Sequence, residues 1–319
     1  MRIGRRVRLL AGVLTLALAA GCGGAKVEAV SGPARPSAGG TVKIAVNPWV
    51  GYEASAGVIA YLLEKKLGYT VERKELAEQV SWEGFEKGDV DVIVENWGHE
   101  DLKKTFIQGR KVAVEAGSTG NKGVIGWYVP KWMVDKYPDI TDYRNLNKYA
   151  SLFRTPESGG KGQLLFGDPS YVSNEEALIK NLGLDLKVVV GGSEAALIES
   201  ATQAQKQRRP LLFYFWNPHW LFSRIDLVRI NLPPHTPGCD ADPKKVACDY
   251  AELDLDKIVS RRFAESGGRA YQLVRNFSWT NAAQNAVADD ITNHGMSVEE
   301  AARKWVEANE SVWSPWIPR

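Results

Sequence analysis

Short apolar runs of four to six residues alternate along this chain with longer stretches whose apolar positions recur every three or four. The first kind predicts buried or half-buried strands and the second predicts amphipathic helices. Thr41–Val46 (TVKIAV) opens the series as a strand. A helix follows over 53–67, with Ala56, Ile59, Ala60, Leu63 and Leu67 on one face and Gly68 after its end. Further strands are predicted at 71–76, 89–94, 112–117, 123–129, 164–167, 187–190, 211–215 and 226–232. Helices are predicted at 81–87, 131–137, 174–182 and from Ser193 onward. The C-terminal part reads as helices at 254–264, 268–277, 280–293 and 297–310. Two of these helices start with capping boxes, Ser173 with Glu176 and Ser297 with Glu300. The tail from Trp313 is apolar, Pro-rich and read as a closing strap. No fixed-period repeat is present. What recurs is a strand, then a Trp, then a polar turn, as in Asn47-Pro48-Trp49-Val50-Gly51-Tyr52 and Glu95-Asn96-Trp97-Gly98-His99. Alternating strands and helices give an α/β sandwich, and ligands of open α/β sheets bind at the carboxyl ends of the strands.

The stretch LLFYFWNPHWL (211–221) concentrates this pattern. Its first five residues read as a buried strand, and Pro218 cannot continue a ladder. Trp216, His219 and Trp220 are thereby delivered on a turn just past a strand end. Trp216 and Trp220 as ordinary core aromatics is the competing reading.

The N-terminus is a targeting segment. Arg2, Arg5, Arg6 and Arg8 precede an apolar run over 9–20 that is too short to span a bilayer as a helix. The run ends Leu18-Ala19-Ala20-Gly21-Cys22, which resembles a bacterial lipoprotein signal with Cys22 as the lipidated residue; a plain secretory signal is the alternative. Residues 23–40 are rich in Gly, Ala, Pro and Ser and read as a flexible tether. No later apolar run approaches transmembrane length. Export leaves Cys239 and Cys248 in an oxidising compartment, where they are expected to form one disulfide bracing a polar loop. A metal pair is the weaker reading, because no His or Cys nearby completes four ligands.

The chain has 319 residues, 44% of them hydrophobic, which is ample for a core, and 11 Trp. A formal charge of +2 gives no electrostatic case for nucleic acid. Trp49, Trp97, Trp127 and Trp216 all fall at or near strand ends, so they converge if those ends share a direction. Indole faces suit a quaternary ammonium, which has no N–H for a carboxylate to grip. Each desolvated face contributes about 2 kcal/mol, so three or four approach the roughly 8 kcal/mol of micromolar binding. A carboxylate on the same ligand would need donors: His219, an indole N–H, or backbone N–H groups at a helix start such as that after Ser170-Tyr171.

The segments KIAVNPWVGYEASAGVIAYLLEKKLGY, VDVIVENWGHE, GWYVPKW and FYFWNPHWLFSRIDLV together resemble the substrate-binding proteins of glycine betaine/choline-type ABC transporters, most closely over 41–232. The resemblance implies a two-lobed, type II periplasmic-binding-protein fold with the ligand in the interlobe cleft. It implies lobes at 41–128 plus 223–319 and at 129–222, closing on the ligand. It implies Trp49, Trp97, Trp127 and Trp216 as the cage and His219 as a carboxylate contact, with Tyr52, Ser170 and Tyr171 nearby. Some relatives carry an Asp two residues after the first Trp; Gly51 stands there, which points to a betaine. The implied partners are a small quaternary amine, the permease subunits and, through Cys22, the outer face of the cytoplasmic membrane. A monomer without cofactor or metal is expected.

Two other classes compete. An enzyme could use His99-Glu100-Asp101 as metal ligands or His219 as a base, but no G-x-S-x-G, H-E-x-x-H or P-loop is present. His99 reads instead as a turn residue. A surface protein gripping a sugar or polymer could also use exposed Trp.

Overall fold

The computed structural model describes residues 39–318. The signal segment, Cys22 and nearly all of the tether lie outside the described residues.

Nine strands form one mixed sheet: β1 Thr41–Val46, β2 Thr70–Glu75, β3 Val92–Asn96, β4 Ala113–Pro130, β5 Gly162–Phe166, β6 Leu186–Val190, β7 Phe213–Asn217, β8 Leu227–Arg229 and β9 Glu252–Ser260. Their spatial order is β2-β1-β3-β9-β4-β7-β5-β6, with β8 also on β4. β1 runs parallel to β2 and β3, and β5 runs parallel to β6 and β7, as right-handed strand–helix–strand units require. β4 is the joint between these two sets. Its first part pairs antiparallel with β9, and its last part pairs with β7 and β8.

The two strands predicted at 112–117 and 123–129 are thus one 18-residue strand, with register shifts between Glu115 and Lys122 where the pattern had suggested a break. A larger departure is at 254–264, predicted as helix. Residues Glu252–Ser260 form β9, and only Arg261–Glu265 is helical. The sequence ELDLDKIVS alternates, and a period of two is a strand signal. Buried Leu255, Lys257 and Val259 face inward; the Lys257 ammonium donates to the Ser118 carbonyl at 2.8 Å and also to the Phe277 carbonyl.

Helix α1 (Val50–Leu67) is apolar almost all round, because it is sandwiched between the sheet and the helices Arg269–Asn276, Asn281–Asn293 and Val298–Ala308. Buried side chains fall into two clusters. The larger runs from Val42, Ile44 and Ile59 to Phe213, Phe215 and Trp216. The smaller gathers Trp127, Val129, Met133, Leu164, Leu178, Ile230, Leu232, Val246 and Cys248. Ile230, Leu232, Val246 and Cys248 pack in the smaller cluster, where β8 zips onto the end of β4. The expected Cys239–Cys248 disulfide is present, with Cα atoms 6.3 Å apart, and Cys248 anchors its loop in that cluster.

Candidate functional site

The sheet order brings the ends of β1, β3 and β7 to one cleft. Trp49 caps the start of α1 just after β1, Trp97 follows β3, and Trp216 lies at the end of β7. With Glu78, His99, Ile125, Tyr171, Val172 and Tyr214 they line a space of about 370 Å³, including its open mouth. Tyr171 meets two of the indoles edge to face, while Trp216 stacks on Phe215 at 4.8 Å and 28°. Tyr171 stands 5.9 Å from Trp49 at 81° and 5.5 Å from Trp216 at 86°. Ring surface not used in these contacts borders the space between them.

What fixes the indoles is Glu95, on β3 and 2% exposed. Its Oε1 accepts the Nε1–H of Trp49 at 3.0 Å and of Trp97 at 2.9 Å. Its Oε2 accepts from Ser55 at 3.2 Å and from the Gln284 amide. Burial pushes the Glu95 pKa above the usual carboxylate range, against the pull of these donors. A carboxylate behind two indole edges strengthens the negative potential on their faces. Close packing also holds the rings. A Cβ on Gly123 would lie 2.8 Å from the Trp97 ring, and one on Gly167 would lie 2.7 Å from Tyr171, so only glycine fits at either position.

The polar edge of the cleft is a pair, His99 Nε2 at 3.0 Å from Glu78 Oε1, with Glu78 Oε2 accepting the Val172 N–H at 3.1 Å. Burial alone would lower the His99 pKa. Its hydrogen bond to Glu78, with the charges of Glu78, Asp101 and Asp256, outweighs burial and holds it above the ordinary value.

Of the residues expected at the site, Trp49, Trp97, Trp216 and Tyr171 line the cleft. Trp127 does not line it. It shares the face of Ile125, but two residues along a strand is roughly 7 Å, and there it is fully buried in the smaller cluster. Tyr52 stands behind Trp49 at 5.2 Å, and its hydroxyl accepts the Val94 N–H. Ser170 turns away, its N–H held by Asp168 at 2.8 Å. His219 is buried edge-on to Trp216. Its Nδ1 accepts the Leu221 N–H at 3.0 Å, so its Nε2 carries the proton and donates to Glu194 Oε1 at 3.0 Å. His99, read as a turn residue, lines the cleft. Glu95 was missed although its signal was in view: a lone charge ending an apolar strand needs buried partners.

The two-lobed α/β architecture and an enclosed aromatic cleft define a solute-binding protein. The profile described as the substrate binding domain of ABC-type glycine betaine transport systems matches residues 40–308, so the chain belongs to that family. The trimethylamine N-oxide-binding protein of Pelagibacter ubique is 28% identical, over 86% of this chain and 90% of its own. The glycine betaine/proline betaine-binding periplasmic protein of Escherichia coli is 23% identical, over 79% and 82%. Among solved structures, lactococcal OpuAC in its closed form with glycine betaine superposes with a TM-score of 0.66 at 24% identity, covering 87% of this chain and 99% of that one. A choline-binding protein in complex with choline gives 0.70 at 19%, covering 86% and 91%. Among the described residues, no helix is long and apolar enough to cross a membrane.

Proposed function

We propose that this protein captures a small methylated ammonium solute between Trp49, Trp97 and Trp216, with Tyr171 and Tyr214 completing the enclosure, and hands it to an ABC permease. The observation that carries this reading is the fate of the indole N–H groups. Two of the three point back into Glu95, so Trp49 and Trp97 offer the cleft ring faces and not donors. Three such faces contribute about 6 kcal/mol toward a methylated cation, before ordering costs. The names of the relatives, binders of trimethylamine N-oxide, glycine betaine and choline, support the same chemistry.

The two halves act as lobes hinged where β4 and the segment before β9 pass between them. We take the boundaries as near residue 124 and residue 251, because Ile230, Leu232, Val246 and Cys248 share the smaller cluster with Val129 and Leu164. Bonds between the halves include Tyr171 hydroxyl to the Pro48 carbonyl at 3.1 Å, Val172 N–H to Glu78, Val50 N–H to Glu194 at 2.9 Å and Arg224 to Asp289 at 3.0 Å. Such bonds break on opening, so the permease can distinguish a closed, loaded protein from an open one. The exported body works as a monomer tethered through a lipid on Cys22, and mass spectrometry of the N-terminal peptide checks the lipid. No catalytic step is assigned. Calorimetry of the whole protein against tetramethylammonium, choline and glycine betaine tests the reading; saturable binding of at least one is expected, and no binding of any refutes it.

A further inference from the structure

Most of the donors that a ligand carboxylate would need are already held by the protein's own acids. Glu194 opens the helix Glu194–Gln207, whose cap Ser193 accepts the Ala196 N–H and so sets the first turn. The Glu194 side chain reaches back across the cleft wall. Its Oε2 takes the Val50 N–H at the N-terminus of α1 at 2.9 Å, and its Oε1 takes the His219 Nε2–H at 3.0 Å. A helix N-terminus and a neutral imidazole N–H are together a carboxylate-binding pair, and here one carboxylate fills both. The remaining candidates are engaged in the same way. The indole N–H groups of Trp49 and Trp97 go to Glu95, the Val172 N–H to Glu78, and the Ser170 N–H to Asp168. Among the described residues lining the cleft, His99 is the only basic side chain, and it is paired with Glu78.

We propose that Glu194 stands where a ligand carboxylate would otherwise bind, so that the cleft selects methylated ammonium compounds without a carboxylate over betaines. This rests on the aromatic-cage reading above and narrows it. Of the indole N–H groups at the cleft, a betaine's carboxylate would find only that of Trp216 unengaged. It would also face Glu78 at the cleft and Glu194 beside it, and like charges at close range in a partly dry site repel strongly. A cation with a hydroxyl tail meets the opposite situation, because Glu78 is an acceptor on the cleft wall. The Gly51 signal, which had favoured a betaine through the lack of an acid on α1, is thereby reversed, since acids arrive from α2 (Glu78–Lys87) and from the helix Glu194–Gln207 instead.

The test is calorimetric titration of the whole protein and its Glu194→Ala and Glu194→Gln variants with tetramethylammonium, choline and glycine betaine. Thermal melts establish that each variant is folded. Wild type is expected to bind tetramethylammonium or choline at least tenfold more tightly than glycine betaine. Glu194→Ala is expected to shift that ratio toward glycine betaine by tenfold or more, and Glu194→Gln, which keeps the shape without the charge, to shift it less. A wild-type preference for glycine betaine overturns the assignment of Glu194 while leaving the cage intact. So does a ratio that stays fixed in Glu194→Ala, since a residue that only latches the halves together would change all three affinities alike. Failure of wild type to bind any of the three removes the cage itself and this inference with it.

Discussion

The chain places aromatic residues in two groups that look alike in composition and differ in what lies between the rings. At the C-terminal end Phe277, Trp279, Trp305 and Trp316 pack on each other. Trp305 and Trp316 stack at 6.0 Å and 12°, and Trp279 meets Trp305 at 5.3 Å and 87°. Their neighbour Trp313 and Trp279 itself direct N–H groups to neutral acceptors, the Val306 carbonyl and the Asn121 amide oxygen. Around the cleft, Trp49, Trp97 and Trp216 surround open space, and the first two share one buried carboxylate. The first arrangement maximises burial and serves stability. The second leaves a gap between its rings and places a charge behind two of them. A count of tryptophans does not separate the two; the destination of each N–H and the presence of a gap do.

The largest effect that sharpens this contrast is on stability. Trp305→Ala should cost about 3–5 kcal/mol in denaturant unfolding, as large-to-small changes in a packed core do, with little change in ligand affinity. Trp127→Ala should behave the same way, because Trp127 belongs to the smaller core and not to the cage; a thirtyfold loss of affinity in a well-folded Trp127→Ala protein would return it to the site. Next, Trp216→Ala should weaken ligand binding by about 2 kcal/mol, roughly thirtyfold, by calorimetry. Gly123→Ala should cost about 1–2 kcal/mol in affinity, because the added methyl forces the Trp97 ring aside; equal affinity would show that the ring position does not matter.

The smallest effect expected is electrostatic. Glu95→Gln keeps an amide oxygen to accept both indole N–H groups and removes the charge, for about 1 kcal/mol of affinity for a cation. The pH dependence follows in sign. Burial holds the Glu95 pKa above the ordinary carboxylate range, so acidification protonates it earlier than an exposed glutamate and weakens cation binding as pH falls. His99 titrates at the cleft as well, so the informative quantity is the difference between wild type and Glu95→Gln. A flat difference across mildly acidic pH would deny Glu95 its electrostatic role.

Much of this contrast could be read before the fold was known, and the parts that could not have physical reasons. Trp49, Trp97 and Trp216 were legible because a strand followed by an aromatic and a polar turn is local information. Trp127 carried the same local signal, and only its full burial with Val129 and Leu164 in the smaller cluster sets it outside the cleft. Glu194 and His219 find each other across 25 residues and then reach Val50 across 144, and no spacing rule encodes that meeting. β9 was misread as helix because a stretch of charged residues beside Ile and Val suited either period. Its true neighbours, β3 and β4, lie more than a hundred residues away.

The central claim is that ring faces around the cleft bind a methylated cation while the other tryptophans do not. Titrating tetramethylammonium, which is nothing but that cation, into wild type and into Trp49→Ala, Trp97→Ala, Trp216→Ala and Trp305→Ala tests it most directly. The account predicts saturable heat in wild type and Trp305→Ala and a loss of tenfold or more in affinity for each of the other three. Undiminished binding in those three would contradict it.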